Sequence, residues 1–225
     1  PLLNKLYENI IWGQRGNFLD VPTDCPQRDE RLGWTGDAQV FVRTAALNYD
    51  VEKFFTKWLA DMAAEQAKDG SVPHVIPDVL FGQGGSAAWA DASIICPWQI
   101  YLTYGNKEIL ERQFESMKKW IGYMQKNSKK FIWTKGNHFG DWLCLDKDIG
   151  NEPTDKKLIA TAFSAYSTSL FVKAGKVLGR DMGKYELLAE NIKQAFCKKY
   201  IKDGFVLENT QTACALVLYF DLYDD

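Results

Sequence analysis

Apolar residues recur at helical spacing along most of this chain, and that pattern constrains its fold more than any other feature. From Val51 they fall at Val51, Phe54, Phe55, Trp58, Leu59 and Met62, which places them on one stripe of a helix. The same spacing returns at Leu110, Phe114, Met117, Ile121 and Met124, at Leu158, Ile159, Ala162, Phe163, Tyr166 and Leu170, and at Tyr185, Leu188, Ile192 and Phe196. Shorter candidates cover residues 2–12, 37–48, 87–104 and 212 onward. The stretch 88–104 is apolar nearly all round, so it reads as a helix buried on most sides, with Pro97 expected to start, kink or break it. Alternating strands are scarce. "KKFIWTK" and "GFVLEN" suit short ribbons, and no βαβ succession appears. The expectation is an all-α chain of about eight helices.

Between the helices lie three long loops, residues 13–36, 69–86 and 130–155. Loops of that length in a compact helical protein usually carry function rather than packing. A toroid of helical hairpins, with its long loops meeting at one end, fits this layout, and a twelve-helix version would need about four more helices. The chain begins at Pro1 without a methionine and stops in the apolar-periodic "LVLYFDLYDD". It therefore reads as part of one larger domain, roughly its N-terminal two-thirds. Helices cut from their neighbours would expose apolar faces and favour self-association. The residues leave the cellular location open.

Composition narrows the partners. With 225 residues, 46% of them hydrophobic, one substantial core can be buried. The 27 basic and 29 acidic residues nearly balance and form no basic face, which argues against nucleic acid and anionic membranes. No apolar run approaches the roughly 20 residues of a membrane helix. Cys25, Cys96, Cys144, Cys197 and Cys214 lie far apart without metal-ligand spacing and read as buried free thiols. His74 and His138 are isolated and read as hydrogen-bonded loop residues. No metal or cofactor is expected. "GQGGS" lacks the preceding strand of a phosphate loop and reads as a flexible linker, whereas "NEPTD" reads as a turn and helix cap.

The first loop carries "DCPQRDERLGWTGD", with four carboxylates, two arginines and a tryptophan in one short span. A solvated turn with weak ion pairs is the plain alternative. Cys25, Pro26, Leu32 and Trp34 speak against it, because burying them would draw the charges together. Asp24 and Asp29 crowd Glu30 with like charge and Trp34 could desolvate it, while Arg28 and Arg31 act in the opposite sense. Asp37 opens a helix, where the N–H groups and dipole should keep it ionised. Trp34, Trp89 and Trp142 each stand near an acid, Asp37, Asp91 and Asp141. Aromatic faces beside carboxylates suit a sugar ring, and the small or polar neighbours of Trp89 and Trp142 favour ligand stacking over core packing.

The run "NFLDVPTDCPQRDERLGWTGDAQVF", followed by "DGSVPHVIPDV", "AAWADA" and "GDWLCLD", resembles the catalytic domain of bacterial α-L-rhamnosidases, the inverting enzymes of glycoside hydrolase family 78. The resemblance covers essentially the whole chain. It implies an (α/α)6 barrel of six hairpins, incomplete here, and hydrolysis of terminal α-L-rhamnosyl groups from a rhamnose-containing glycoside or polysaccharide. It further implies Glu30 as general acid, with Asp24, Arg28, Trp34, Asp37, Trp89 and Trp142 lining the sugar subsite. The family's general base is a glutamate of a later inner helix, which falls beyond these residues. Two other readings remain in view: another α/α-toroid glycosidase or lyase acting on a different sugar, and a sugar-binding protein without catalysis. A pure binder could dispense with Glu30, and a lyase would want a Tyr or His near the C5 proton, for which only His74 and His138 are on offer.

Overall fold

The computed structural model describes residues 1–145 and 151–223, within which the chain forms eight α-helices and two very short hairpins. The helices are α1 (Leu2–Asn17), α2 (Thr35–Asn48), α3 (Glu52–Glu65), α4 (Ala92–Tyr104), α5 (Glu108–Lys126), α6 (Lys156–Val177), α7 (Gly183–Tyr200) and α8 (Gln211–Tyr219). The expected ribbons are present as antiparallel pairs, β1 (Ser128–Lys129) with β2 (Ile132–Trp133) and β3 (Ile201–Lys202) with β4 (Phe205–Val206). None of the helices is long and apolar enough to cross a membrane.

The helical stripes become the core. Phe55, Trp58, Leu59 and Met62 of α3 are buried, as are Leu110, Phe114, Met117, Ile121 and Met124 of α5. The packing order reveals the architecture. Helix α2 packs on α4, α4 on α6 and α6 on α8, so the even-numbered helices form one arc. Helices α3 and α5 pack on α4 and on each other, and α7 lies along α6. The segments that precede α2, α4 and α6 are joined to one another, Trp34 to Val75 by a bridge and Ala87 N–H to His138 Nδ1 by a hydrogen bond, which brings the N-termini of these helices together. The long loops enter α2, α4 and α6 at those N-termini. This is part of the hairpin toroid that fits the helical spacing, and α4, apolar on most sides in sequence, is buried at Ala92, Ser93, Ile94, Cys96, Pro97 and Ile100.

Three expectations need correction. Helix α1 runs to Asn17 rather than stopping near Trp12, despite Gly13 and Gly16. Gln14 explains why: its side chain is buried, donating to Ala45 O (3.1 Å) and accepting from Asn48 Nδ2 (3.0 Å), and that anchorage outweighs about 1 kcal/mol of propensity per glycine. Helix α4 begins at Ala92 rather than near residue 87, and it continues through buried Pro97. The residues before it form a tight turn, with Ala90 N–H donating to Ser86 O. Gly82–Ser86 is not a loose linker. Gly84 bridges Pro73, and Gly85 N–H donates to Val72 O. A Cβ at Gly84 would run into the backbone of Val72, and one at Gly85 into the Tyr123 hydroxyl, so close approach accounts for both glycines.

Other local signals are met. Asp155 of "NEPTD" caps α6 by accepting the Lys157 N–H at 2.8 Å. Of the cysteines, Cys25, Cys96 and Cys197 are buried as expected, whereas Cys144 and Cys214 are partly exposed.

Candidate functional site

The charged loop is closed at its neck by Asp24. Its backbone N–H donates to Leu32 O and its Oδ1 accepts the Leu32 N–H, both at 3.2 Å. Its Oδ2 faces Arg28 at 3.5 Å, and Arg28 Nε in turn contacts Glu30 Oε2 at 3.0 Å. The Asp24 side chain is only 8% exposed, whereas those of Arg28 and Glu30 are 57% and 55% exposed. The sequence argument expected Pro26 and Leu32 to pull this loop inward. Instead residues 26–31 stand at the surface, Leu32 is only partly buried, and burial is confined to Cys25 and the flanks. The reciprocal bonds at the neck hold the loop by its base, which leaves the acidic and basic tip free to face a cavity.

Beyond the neck the chain is pinned to the second long loop. Trp34 forms an antiparallel bridge with Val75, Thr35 N–H donates to His74 O, and Ile76 N–H donates to Gly33 O. Gly33 is required there, because a Cβ would overlap the carbonyl of Ile76. Trp34 also reaches back, its Nε1–H donating to Glu30 O at 3.4 Å. Asp37 lies in the first turn of α2. Its carboxyl is pushed above the ordinary range, first by burial, then by the negative charge of Asp24 and, more weakly, of Glu30, while a backbone hydrogen bond pulls the other way. The residue itself is exposed on α2, so partial desolvation and two acidic neighbours work against the backbone hydrogen bond of the helix start, which favours the anion as expected.

The second and third loops complete the enclosure. Trp89 follows Ala88, whose φ of 70° is left-handed. The Trp89 ring lies against Gly36, so that a Cβ there would come within 2.7 Å of it. It meets Phe139 at 4.4 Å between centroids, and Phe139 meets Trp142 edge-on at 5.3 Å. His138 locks this loop to the turn before α4 by accepting Ala87 N–H on Nδ1 at 3.1 Å, and burial pushes its pKa down to about 4, so the imidazole is neutral. That hydrogen bond matches expectation. His74 differs: its carbonyl bonds Thr35, while its ring packs on Phe139 at 5.0 Å and its Nδ1 has no partner among the described residues.

All seven residues singled out from the sequence, Asp24, Arg28, Glu30, Trp34, Asp37, Trp89 and Trp142, line one small cavity of about 150 Å³. A neighbouring cavity of about 600 Å³ shares Asp24, Asp37, Trp89 and Trp142 and extends along α1 and α2. Sequence reading missed Phe139 and Leu143, which line the smaller cavity too. Phe139 stands three residues before Trp142 in "HFGDW", and that proximity was the available signal. Asp146 of "GDWLCLD" lies outside the described residues. The 750 Å³ cavity between α7, the β3–β4 hairpin and α8 has one carboxylate in its lining, Asp203, and so lacks the paired acids of the first site. A site with carboxylates, a guanidinium and three indoles around one concavity can bind hydroxyls, stack on C–H faces and move a proton.

Comparison with known proteins agrees with this geometry. Residues 1–225 match the family described as the bacterial alpha-L-rhamnosidase 6 hairpin glycosidase domain. An alpha-L-rhamnosidase of Formosa agariphila is 45% identical over 99% of this chain and 25% of its own length, and one of Streptomyces avermitilis is 42% identical over 100% and 21%. The chain thus spans about a quarter of the length of these curated relatives. The crystal structure of the Streptomyces avermitilis enzyme complexed with L-rhamnose superposes with a TM-score of 0.93 over 100% of this chain and 21% of that one. The native enzyme of Aspergillus terreus superposes equally well, at 38% identity over 100% of this chain and 27% of that one. By its toroid of hairpins, its loop cluster and its match over every residue, the chain belongs to the bacterial α-L-rhamnosidase six-hairpin glycosidase family.

Proposed function

We propose that the protein carrying this domain hydrolyses terminal non-reducing α-L-rhamnosyl residues by a single displacement that inverts the anomeric carbon, with Glu30 as general acid. The observation that carries the reading is the convergence of Glu30, Asp24, Arg28, Trp34, Asp37, Trp89 and Trp142, from three loops, on one cavity. The relative that superposes at 0.93 was crystallised with L-rhamnose, which supports the sugar class. Residues 1–225 then form part of one α/α-barrel catalytic domain, to which the described residues contribute eight helices.

In this mechanism Glu30 gives its proton to the glycosidic oxygen as the C1–O bond breaks. A second carboxylate, from chain outside residues 1–225, takes a proton from the water that attacks the opposite face, about 6.5–9.5 Å from the acid. Positive charge develops at the anomeric centre, and Asp24 and Asp37 are the anions placed to oppose it. Arg28, which contacts Glu30 at 3.0 Å, exchanges that contact for sugar hydroxyls. The indoles of Trp34, Trp89 and Trp142, with the ring of Phe139, offer C–H and methyl contacts suited to a 6-deoxy sugar.

The test is NMR of the anomeric proton during hydrolysis of an aryl α-L-rhamnoside by the intact protein, wild type beside Glu30→Gln. The β-anomer should appear first. Glu30→Gln should lose about 10²- to 10⁴-fold toward unactivated rhamnosides and less toward aryl ones, whose leaving group needs little protonation. Equal losses on both would remove Glu30 from the acid role, and early α-anomer would overturn inversion. The 225-residue chain alone should turn over negligibly, because the base is absent from it.

A further inference from the structure

Asp91 is fully buried, and its carboxylate is used by none of the steps above. Its Oδ1 accepts from Trp120 Nε1 of α5 at 2.9 Å and from Ser167 Oγ of α6 at 2.5 Å, and its Oδ2 accepts from Ala88 N–H at 2.8 Å. These donors are all neutral, and no lysine or arginine pairs with Asp91 among the described residues. Burial accordingly pushes the Asp91 carboxyl upward, opposed by the hydrogen bonds from Ser167, Trp120 and Ala88. A buried carboxyl without a cation stabilises a fold less than a well-packed apolar group of the same shape would. Its presence calls for a role other than packing.

Its place in the chain supplies one. Ala88 has the left-handed φ of 70°, a conformation that a residue with a Cβ rarely adopts without support. Asp91 supports it directly by accepting the Ala88 N–H, and the residue that this backbone turn projects is Trp89. On its other side Trp89 is fixed by the start of α4, where Ala92 N–H donates to Trp89 O at 3.1 Å. Ser167 stands 76 residues away on the next inner helix and Trp120 stands 29 residues away on an outer helix, so the carboxylate ties the turn to two other parts of the toroid.

We infer that Asp91 is a positioning residue for the sugar site: it anchors the Ala88–Trp89 turn to α5 and α6, and so sets the Trp89 indole against Gly36 and Phe139. The inference rests on the reading that this cavity receives L-rhamnose. The variants are Asp91→Asn, which keeps the shape but replaces an acceptor oxygen by a donor, and Ser167→Ala, which removes one donor and serves where Asp91→Asn fails to fold.

Two readouts on the intact protein decide it. In protein labelled with 5-fluorotryptophan, the Trp89 fluorine NMR signal, assigned by its loss in Trp89→Phe, should shift or broaden in Asp91→Asn and less so in Ser167→Ala. On an aryl α-L-rhamnoside, kcat/KM should fall by about tenfold to a hundredfold, mainly through KM, in proportion to a displaced platform. In a Trp89→Ala background the same change should cost almost nothing further, which a merely structural role would not produce. An unmoved fluorine signal in either folded variant overturns the inference, as do additive losses in the double variant. If wild-type protein neither binds L-rhamnose nor cleaves the rhamnoside, the functional reading falls by itself. The fluorine signal then still decides whether Asp91 holds Trp89.

Discussion

Gly36→Ala should separate binding from stability. Gly36 is the second residue of α2, buried, directly before Asp37. A Cβ there would lie 2.7–2.8 Å from Cε2, Nε1 and Cδ2 of Trp89. Carbon atoms settle at about 3.5–4.0 Å, so the indole must retreat by about 1 Å. Alanine is favoured over glycine inside a helix by about 1 kcal/mol, whereas overpacking costs about 1–3 kcal/mol. The net change in stability is therefore a loss of at most about 2 kcal/mol. A displacement of about 1 Å at a catalytic site can cost on the order of 10²-fold in rate. The expected result is a folded protein whose thermal midpoint falls by at most about 4–8 °C and whose kcat/KM on an aryl rhamnoside is reduced by about two orders of magnitude. A variant that kept wild-type kcat/KM would refute the claim that Trp89 must stand where Gly36 admits it. A loss that merely tracked unfolding would refute the separation.

At Gly33 the obstruction is a backbone carbonyl rather than a movable ring, since a Cβ would meet Ile76 O. Gly33→Ala should therefore lower the unfolding midpoint in urea more than Gly36→Ala does, through loss of the Ile76–Gly33 hydrogen bond and the Trp34–Val75 bridge; equal midpoints would show that the bridge relaxes freely. His138 predicts an acid weakness. Its folded pKa of about 4 lies below the ordinary 6.5, so the native state binds fewer protons there than the unfolded one. The stability it contributes is complete above pH 6.5 and is lost as pH falls through about 4, to the extent of roughly 3 kcal/mol. Asp37 and Asp91, with raised values, act in the opposite sense, stabilising at low pH and losing that contribution as pH rises. Comparing wild type with His138→Asn, which keeps an acceptor near the Nδ1 position, isolates the histidine: the fall in thermal midpoint between pH 7 and pH 4.5 should shrink, and an unchanged fall would exclude His138 as its source.

The apolar series from Val51 to Met62 or from Leu110 to Met124 was sufficient to place a helix and name its buried face, because the neighbours that define a helical stripe are three or four residues away. The candidate residues were legible too, since the seven that line one cavity lie in short motifs of three loops that resemble those of one family. What the periodicity could not supply was anything joined across the chain. Gly13 and Gly16 stay helical because Gln14 reaches Ala45 and Asn48, and Gly82–Ser86 is ordered because it lies against Val72, Pro73 and Tyr123. Phe139 enters the wall of the site, and the tip of the charged loop stays exposed, for reasons set by other loops.

Local sequence alone determined the helices, the order of long loops between them and the residue types available for chemistry. Only the tertiary structure decided that Phe139 and Leu143 join the wall of the cavity, that the tip of the charged loop stays exposed, and that a carboxylate at Asp91 is held by donors 29 and 76 residues away. The physical reason is range. Helical spacing and capping act within a few residues, whereas burial and hydrogen-bond partners follow from which hairpins stack beside one another, and no short pattern in the chain records that.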